Sequence, residues 1–351
     1  SDVEEILSEV CVKNRSVETV VINKCRKVGN CYFENWTCLY ARNALRLINR
    51  CPKIKTLSLK RTFIKSNKFF ENLGVALPHL TNLSLSYSDA LTPENIMSVA
   101  NTCTNLEKLW LSGTTFFWMP SAKWEKAYHA IFHRLGRTLT CLQMDVRSVK
   151  ELKDISMCVK MKVLHLHNIQ YLGKEEFAAI GNLCNLVALR LHKAFKSYFW
   201  ENFPSGRGDE ILNSLFQKTN MKNLIYLSLP QFFFPSSDCA QLIAYNCPLL
   251  HVLSVANVSR VSDDGIIVIL KKCTDLHGLD ISCTDVTAEL FTFICIFPNK
   301  LNFIIVETEC DSQKENSLKE LIEKKSGIRV ERVEELKMKS KIPCKLLQFY
   351  L

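Results

Sequence analysis

The chain has 351 residues and 40.3 kDa, 47% hydrophobic and 10% aromatic with only 11 glycines. That is ample core material, more than one ordinary core holds, and it excludes disordered, collagen-like and linker-like classes. Apolar runs break well short of the roughly 20 residues a membrane helix needs, and the net charge of +10 eases encounter with anionic partners without naming one or favouring nucleic acid.

In chain order one pattern dominates, apolar-x-x-apolar-x-apolar. It runs Val17/Val20/Ile22, Ile54/Leu57/Leu59, Leu80/Leu83/Leu85, Leu106/Leu109/Leu111, Leu139/Leu142/Met144, Met161/Leu164/Leu166 and Leu186/Leu189/Leu191. It continues as Leu224/Leu227/Leu229, Leu250/Leu253/Val255, Leu276/Leu279/Ile281 and Leu301/Ile304/Val306. Six of the ten steps between first positions are 25 or 26 residues, which marks a repeat array. Each copy predicts a short strand with alternate residues inward. Helical segments follow: Thr92 caps a helix opened by Pro93, and Ser262 caps one carrying Ile266, Ile269 and Leu270. Cysteine stands three residues ahead of the first apolar position at Cys51, Cys103, Cys158, Cys247 and Cys273, predicting a buried thiol column at the helix-to-strand turn.

The copies Cys247-Pro-Leu-Leu250-His-Val-Leu253-Ser-Val255 and Cys273-Thr-Asp-Leu276-His-Gly-Leu279-Asp-Ile281-Ser-Cys283 resemble the cysteine-containing leucine-rich repeats. The resemblance covers roughly residues 17 to 306. It implies an α/β leucine-rich-repeat solenoid (horseshoe) of about 11 repeats, with a parallel concave sheet and outer helices. Residues 1–53 read as N-terminal cap and first irregular repeat. Residues 54–306 form the array, with insertions near 112–138 and 193–223. Residues 307–351 are C-terminal cap and tail, with a last helix at 317–325, a final strand at Ile328-Arg-Val330 and the end of the chain folded back or serving as a docking segment.

Proteins of this subclass resemble the repeat domain of F-box substrate receptors. The resemblance therefore implies a substrate-recruiting subunit of a cullin-RING ubiquitin ligase, with a protein substrate and, through an F-box, a ligase adaptor as partners. Residues 1–50 carry neither the Leu-Pro opening nor the Val-Cys-x-x-Trp of an F-box, so that module is expected trimmed away or absent. The alternatives are a non-ligase binding scaffold or receptor for a small or anionic ligand, and an extracellular repeat receptor with disulfides and glycans. Four sequons, at Asn14, Asn35, Asn82 and Asn257, read as chance triplets. Sixteen scattered cysteines without CxxC pairs, and no basic and apolar leader after Ser1, favour a reduced intracellular chain, cytoplasmic or nuclear. Cys25, Cys31 and Cys38, with Trp36 nearby, read as ordinary thiols, since their spacing suits neither zinc nor a redox pair.

No nucleophile elbow, HExxH or phosphate cradle is present, so the chain is read as a binding subunit, any ligase activity residing in partner subunits. The eight histidines read as mostly isolated. Side-chain alternation along the strands puts Lys108, Trp110, His165, His167, Arg190, His192 and Tyr226 on the concave face. They are read as a cationic and aromatic pocket for an acidic or phosphorylated segment, with Arg190 as bidentate anchor. The competing reading is a solvated surface partly neutralised by Asp145. A zinc site from His165, His167 and His192 lacks an acidic or thiolate ligand, so no metal or cofactor is expected. Phe195, Tyr198 and Trp200, in the 193–223 insertion, form a second candidate anchor or else tuck back onto a neighbouring helix.

Overall fold

The computed structural model describes residues 16–23, 37–39, 45, 48–60, 62–64, 66–86, 91–113, 121–146, 148–169, 172–192, 207–216, 221–229, 237–256, 261–284, 286–306 and 328–332. The Phe195–Trp200 candidates, the 317–325 helix, Cys25, Cys31 and the chain end fall outside them. The chain divides into two compact units, Ser1–Tyr171 and Leu172–Leu351.

In the first unit, parallel strands β1 (Thr19–Asn23), β3 (Thr56–Lys60), β5 (Asn82–Ser84), β6 (Lys108–Trp110), β7 (Cys141–Asp145) and β8 (Val163–His167) pair in that order. A separate parallel pair joins β2 (Thr37–Leu39) to β4 (Thr62–Ile64). In the second unit the order is β9 (Ala188–His192), β10 (Tyr226–Ser228), β11 (Val252–Ser254), β12 (Gly278–Asp280), β13 (Phe303–Val306) and β14 (Arg329–Arg332).

The register is the one the repeat demands. Val20, Leu57, Leu83, Leu109, Leu142 and Leu164 lie opposite one another in the first unit, and Leu189, Leu227, Leu253, Leu279 and Ile304 in the second. All are buried. Each such side chain removed from water contributes about 1.5–3 kcal/mol, so one position repeated along the array supplies much of the stability. The eleven predicted strands are all present, and the predicted strand at 328–330 is β14, which covers the outer edge of β13.

Helices link the strands and pack on one another as a second layer: α1 (Asn67–Ala76), α2 (Pro93–Thr102) and α3 (Ser121–Leu135) in the first unit. The second unit holds α4 (Lys174–Gly181), α5 (Arg207–Phe216), α6 (Ser237–Asn246), α7 (Asp263–Lys272) and α8 (Ala288–Ile296). The predicted caps form: Thr92 Oγ1 accepts from Asn95 N at 3.2 Å in a reciprocal capping box, and Ser262 Oγ accepts from Gly265 N at 3.4 Å. At the other end of α2 and α7 stand Cys103 and Cys273, each donating its N–H back into its helix and accepting from the first apolar residue of the next strand motif, Leu106 or Leu276. This double use of one peptide unit is why the helix turns into the strand at the cysteine, and all five predicted column thiols are buried there.

At three strand exits the chain turns through a left-handed residue two positions after the third apolar site. Gly113 (φ 69°), Asn168 (φ 60°) and Cys283 (φ 53°) occupy that site after Leu111, Leu166 and Ile281. Glycine meets the requirement without a Cβ penalty.

Irregular steps have structural counterparts. The insertion near 112–138 contains α3, at 15 residues the longest described helix. The shortest step, from Leu139 to Met161, leaves no room for an α-helix and carries two single-turn 3₁₀ segments, Val149–Leu152 and Ile155–Met157. Parallel strands in repeat register, linked by one layer of helices, make this a leucine-rich-repeat fold of the α/β class. Among the described residues no helix is long and apolar enough to cross a membrane.

Candidate binding face of the parallel sheet

Opposite the leucine ladder the strands present a second column. In the first unit it reads Ser58, Ser84, Trp110, Gln143 and His165, paired across neighbouring strands. In the second it reads Arg190, Ser228, Ser254, Asp280 and Ile305. Neighbouring members are about 4.8 Å apart. Predicted residues Lys108, Trp110, His165 and His167 therefore share one face in the first unit, and Arg190, His192 and Tyr226 share one in the second. His165 and Tyr226 are buried and form the floor, whereas Lys108, Trp110, His167, Arg190 and His192 are partly exposed.

Polar groups lock the face together. Gln143 Nε2 donates to Ser112 Oγ at 2.8 Å and to His167 Nε2 at 3.1 Å, and Ser112 Oγ donates on to Ser86 Oγ at 3.4 Å. Because the amide faces Nε2, that nitrogen accepts and the His167 ring carries its proton on Nδ1. Asp145, read from sequence as a counter-charge, is buried, and its Oδ2 accepts from Gly113 N at 2.7 Å where the chain turns out of β6.

In the second unit the Asp280 carboxylate accepts from Ser254 Oγ at 2.9 Å, Ser282 Oγ at 2.8 Å and Ser282 N at 3.2 Å. Burial pushes its pKa up, with the Ser282 and Ser254 hydrogen bonds and the Arg190 charge pulling the other way. Arg190 is half-buried, and no described residue accepts from its buried Nε. A half-buried cation with a donor from which no described residue accepts can turn outward to take a further acceptor.

Isolated histidines are a wrong expectation in two places. His251 and His277 lie one 26-residue repeat apart with ring centroids 5.1 Å apart, and burial, then the neighbouring His277, lower the His251 pKa. His129 and His133 lie one helical turn apart on α3, and with Asp154 they form a close three-ligand group away from the sheet. The spacings of 26 and 4 were the signals for these pairs. The sheet histidines form no such group among the described residues. The sequon residue Asn82 sits on β5, where its amide donates to Thr56 Oγ1 at 3.0 Å.

No protein-family model matches the sequence. Among solved structures the chain is similar to one from the yeast Rad7–Elc1 complex, with TM-score 0.53, 18% identity, and 82% of this chain and 77% of that chain covered. It also matches an internalin, InlF, from Listeria monocytogenes (TM-score 0.48, 13% identity, 95% and 94% covered). A third match is the leucine-rich repeat-containing protein LegL7 from Legionella pneumophila (TM-score 0.41, 14% identity, 83% and 90% covered). The first of these shows a shared fold.

Proposed function

We propose that this chain is a protein-recognition module, the substrate-recruiting subunit of an F-box-type cullin-RING ubiquitin ligase, which holds an acidic or phosphorylated segment of its target on the polar face of the sheet. Arg190 carries this reading. Its backbone is fixed in β9 between fully packed leucines, Leu189 and Leu191, yet no described residue accepts from its buried Nε. An unmet buried donor costs about 1–3 kcal/mol, and a carboxylate or phosphate that draws the half-exposed guanidinium outward relieves that cost with a charge-assisted hydrogen bond. Trp110 and Lys108 on β6 offer an apolar ring and a second cation on the corresponding face of the first unit. The chemistry of ubiquitin transfer is assigned to other subunits. The likeness to a chain solved within the Rad7–Elc1 complex supports an adaptor partner.

The test is affinity purification of the tagged full-length gene product, wild type against Arg190→Ala and Trp110→Ala, with quantitative identification of what co-purifies. Recovery of a cullin adaptor with all three proteins, and loss of a discrete target with Arg190→Ala, is expected. A missing adaptor would remove the ligase role and leave a non-ligase scaffold. Undiminished target recovery would move recognition off this face.

A further inference from the structure

Helix α3 has two faces of opposite character. Trp124, Ala127, Tyr128, Ile131, Phe132 and Leu135 are buried, at the spacing of one helical stripe. The outward stripe carries Glu125, His129 and His133, four residues apart each time, so their side chains stack over successive turns.

Asp154, the residue that opens the 3₁₀ turn Ile155–Met157, lines a groove of about 1310 Å³ together with His129 and His133. Its side chain makes no capping hydrogen bond and turns to the helix instead. Asp154 Oδ2 lies 2.6 Å from His129 Nδ1 and 3.7 Å from His133 Nε2, and the two imidazole centroids are 3.9 Å apart. The backbone under Asp154 is rigid, because Leu152, Ile155 and Cys158 on either side are fully buried.

We propose that His129, His133 and Asp154 form a Zn²⁺ site that clips α3 to the 3₁₀ link of the following repeat. Two neutral imidazoles and one carboxylate are a donor set suited to zinc, and three protein ligands leave one tetrahedral position for water. One potential ligand atom from each residue already lies within 4.8 Å of the other two. Bonds of 2.0–2.1 Å require ligands roughly 3.3 Å apart. His129 and Asp154 must therefore part by less than about 1 Å, and His133 must close slightly. The side chains are free to do so, being 58%, 42% and 26% exposed for His129, His133 and Asp154. The short His129–Asp154 hydrogen bond is exchanged for two metal bonds: Zn²⁺ takes the Nδ1 lone pair, and the proton that Nδ1 shared with Asp154 passes through solvent to Nε2, so the ring stays a neutral imidazole.

Hard cations are poorly served, since Ca²⁺ and Mg²⁺ need more oxygen ligands than one carboxylate supplies. The rim explains why the fourth ligand would be water or an anion. Glu125 already accepts from Ser148 Oγ at 2.9 Å, and Lys126, Lys150 and Lys153 border the groove.

The experiment titrates the metal-stripped full chain with Zn²⁺ against a chromophoric chelator, and with Co²⁺ as an optical probe, comparing wild type with His129→Ala, His133→Ala and the near-isosteric Asp154→Asn. Expected are a single site in the wild type, weakened at least about tenfold by each substitution, and visible Co²⁺ bands of a nitrogen and oxygen tetrahedron without a thiolate charge-transfer band. Zn²⁺ should also raise the melting temperature of the wild type and not of the variants, while metal-free far-UV spectra stay the same because these side chains are surface groups. Equal affinity in the His129→Ala/His133→Ala double variant, a thiolate band, or no Zn²⁺ binding by the wild type would overturn the site. Mg²⁺ or Ca²⁺ binding as tightly as Zn²⁺ would overturn its chemistry.

Discussion

The Cys273 thiol donates to the backbone carbonyl of Cys247, 3.4 Å away and 26 residues earlier. One repeat thus hands a weak donor to the carbonyl of the one before it, at the turn where each helix gives way to its strand. Both thiols are buried and protonated: burial pushes Cys273 up to about 11 and Cys247 higher still. Cys103 is likewise pushed up to about 11 and Cys158 to about 12.

Among the described cysteines, a thiolate-specific reagent on native protein should therefore react first with the exposed Cys184. Cys51, Cys103, Cys158, Cys247 and Cys273 should react only as the chain unfolds. No disulfide joins the ten cysteines whose side chains are described, so denaturation without reductant should release them as thiols. Rapid native labelling of the column, or its recovery as disulfides, would contradict this environment.

Leu253 and Leu279 face each other on β11 and β12, and both are fully buried. Replacing either by Ala should cost about 2 to 5 kcal/mol, measured by denaturant unfolding, because neighbours on both sides leave little room for collapse. A variant as stable as the wild type would mean that the leucine ladder is not the core.

Two glycines let successive helices touch backbone to backbone. A Cβ added at Gly74 on α1 would lie 2.0 Å from the Thr102 carbonyl oxygen at the end of α2, and one at Gly181 on α4 would lie 2.2 Å from that of Leu215 on α5. Backbone cannot retract as a side chain can. Gly74→Ala and Gly181→Ala should each lower stability by about 1–3 kcal/mol, despite the better helix propensity of alanine. Gly265→Ala on α7 is the control and should cost less, since its nearest neighbour is the Ala240 methyl at 3.2 Å.

Asp280 gives a pH dependence of definite sign. Its folded pKa is raised, chiefly by burial, so the folded state holds a proton that the unfolded state has released. Its contribution is fully present below the ordinary carboxylate range and is lost as pH rises through the folded value. Asp275 and Glu94 are shifted downward, Asp275 mainly by its hydrogen bond to Lys300 and Glu94 mainly by a backbone hydrogen bond, and they work in the opposite direction. The comparison that isolates Asp280 is the melting temperature of Asp280→Asn minus that of wild type. The difference should move in the variant's favour as pH increases from about 4 to about 8. A difference that is flat with pH, or that slopes the other way, would show that Arg190 and the serines outweigh burial.

The sequence alone determined the array. Every predicted middle position from Val20 to Ile304 pairs in register, both predicted caps form, and all five column thiols are buried. A repeat encodes each strand, cap and turn locally, and stacking requires only that the same position recur. The faces of the strands followed as well, since alternation along a strand places Trp110 and His165 opposite the leucines.

Tertiary structure alone decided which polar groups meet. Gln143 reaches both Ser112 and His167, Asp145 is taken by Gly113, and Arg190 Nε is left without an acceptor among the described residues. It also brought Asp154 to the His129–His133 pair, because a long helix followed by a step too short for another helix folds the 3₁₀ link against α3. Period and composition carry no record of such meetings. They depend on how departures from the period are absorbed and on which rotamers reach across the resulting gap, and those are settled only when the neighbouring repeats have packed.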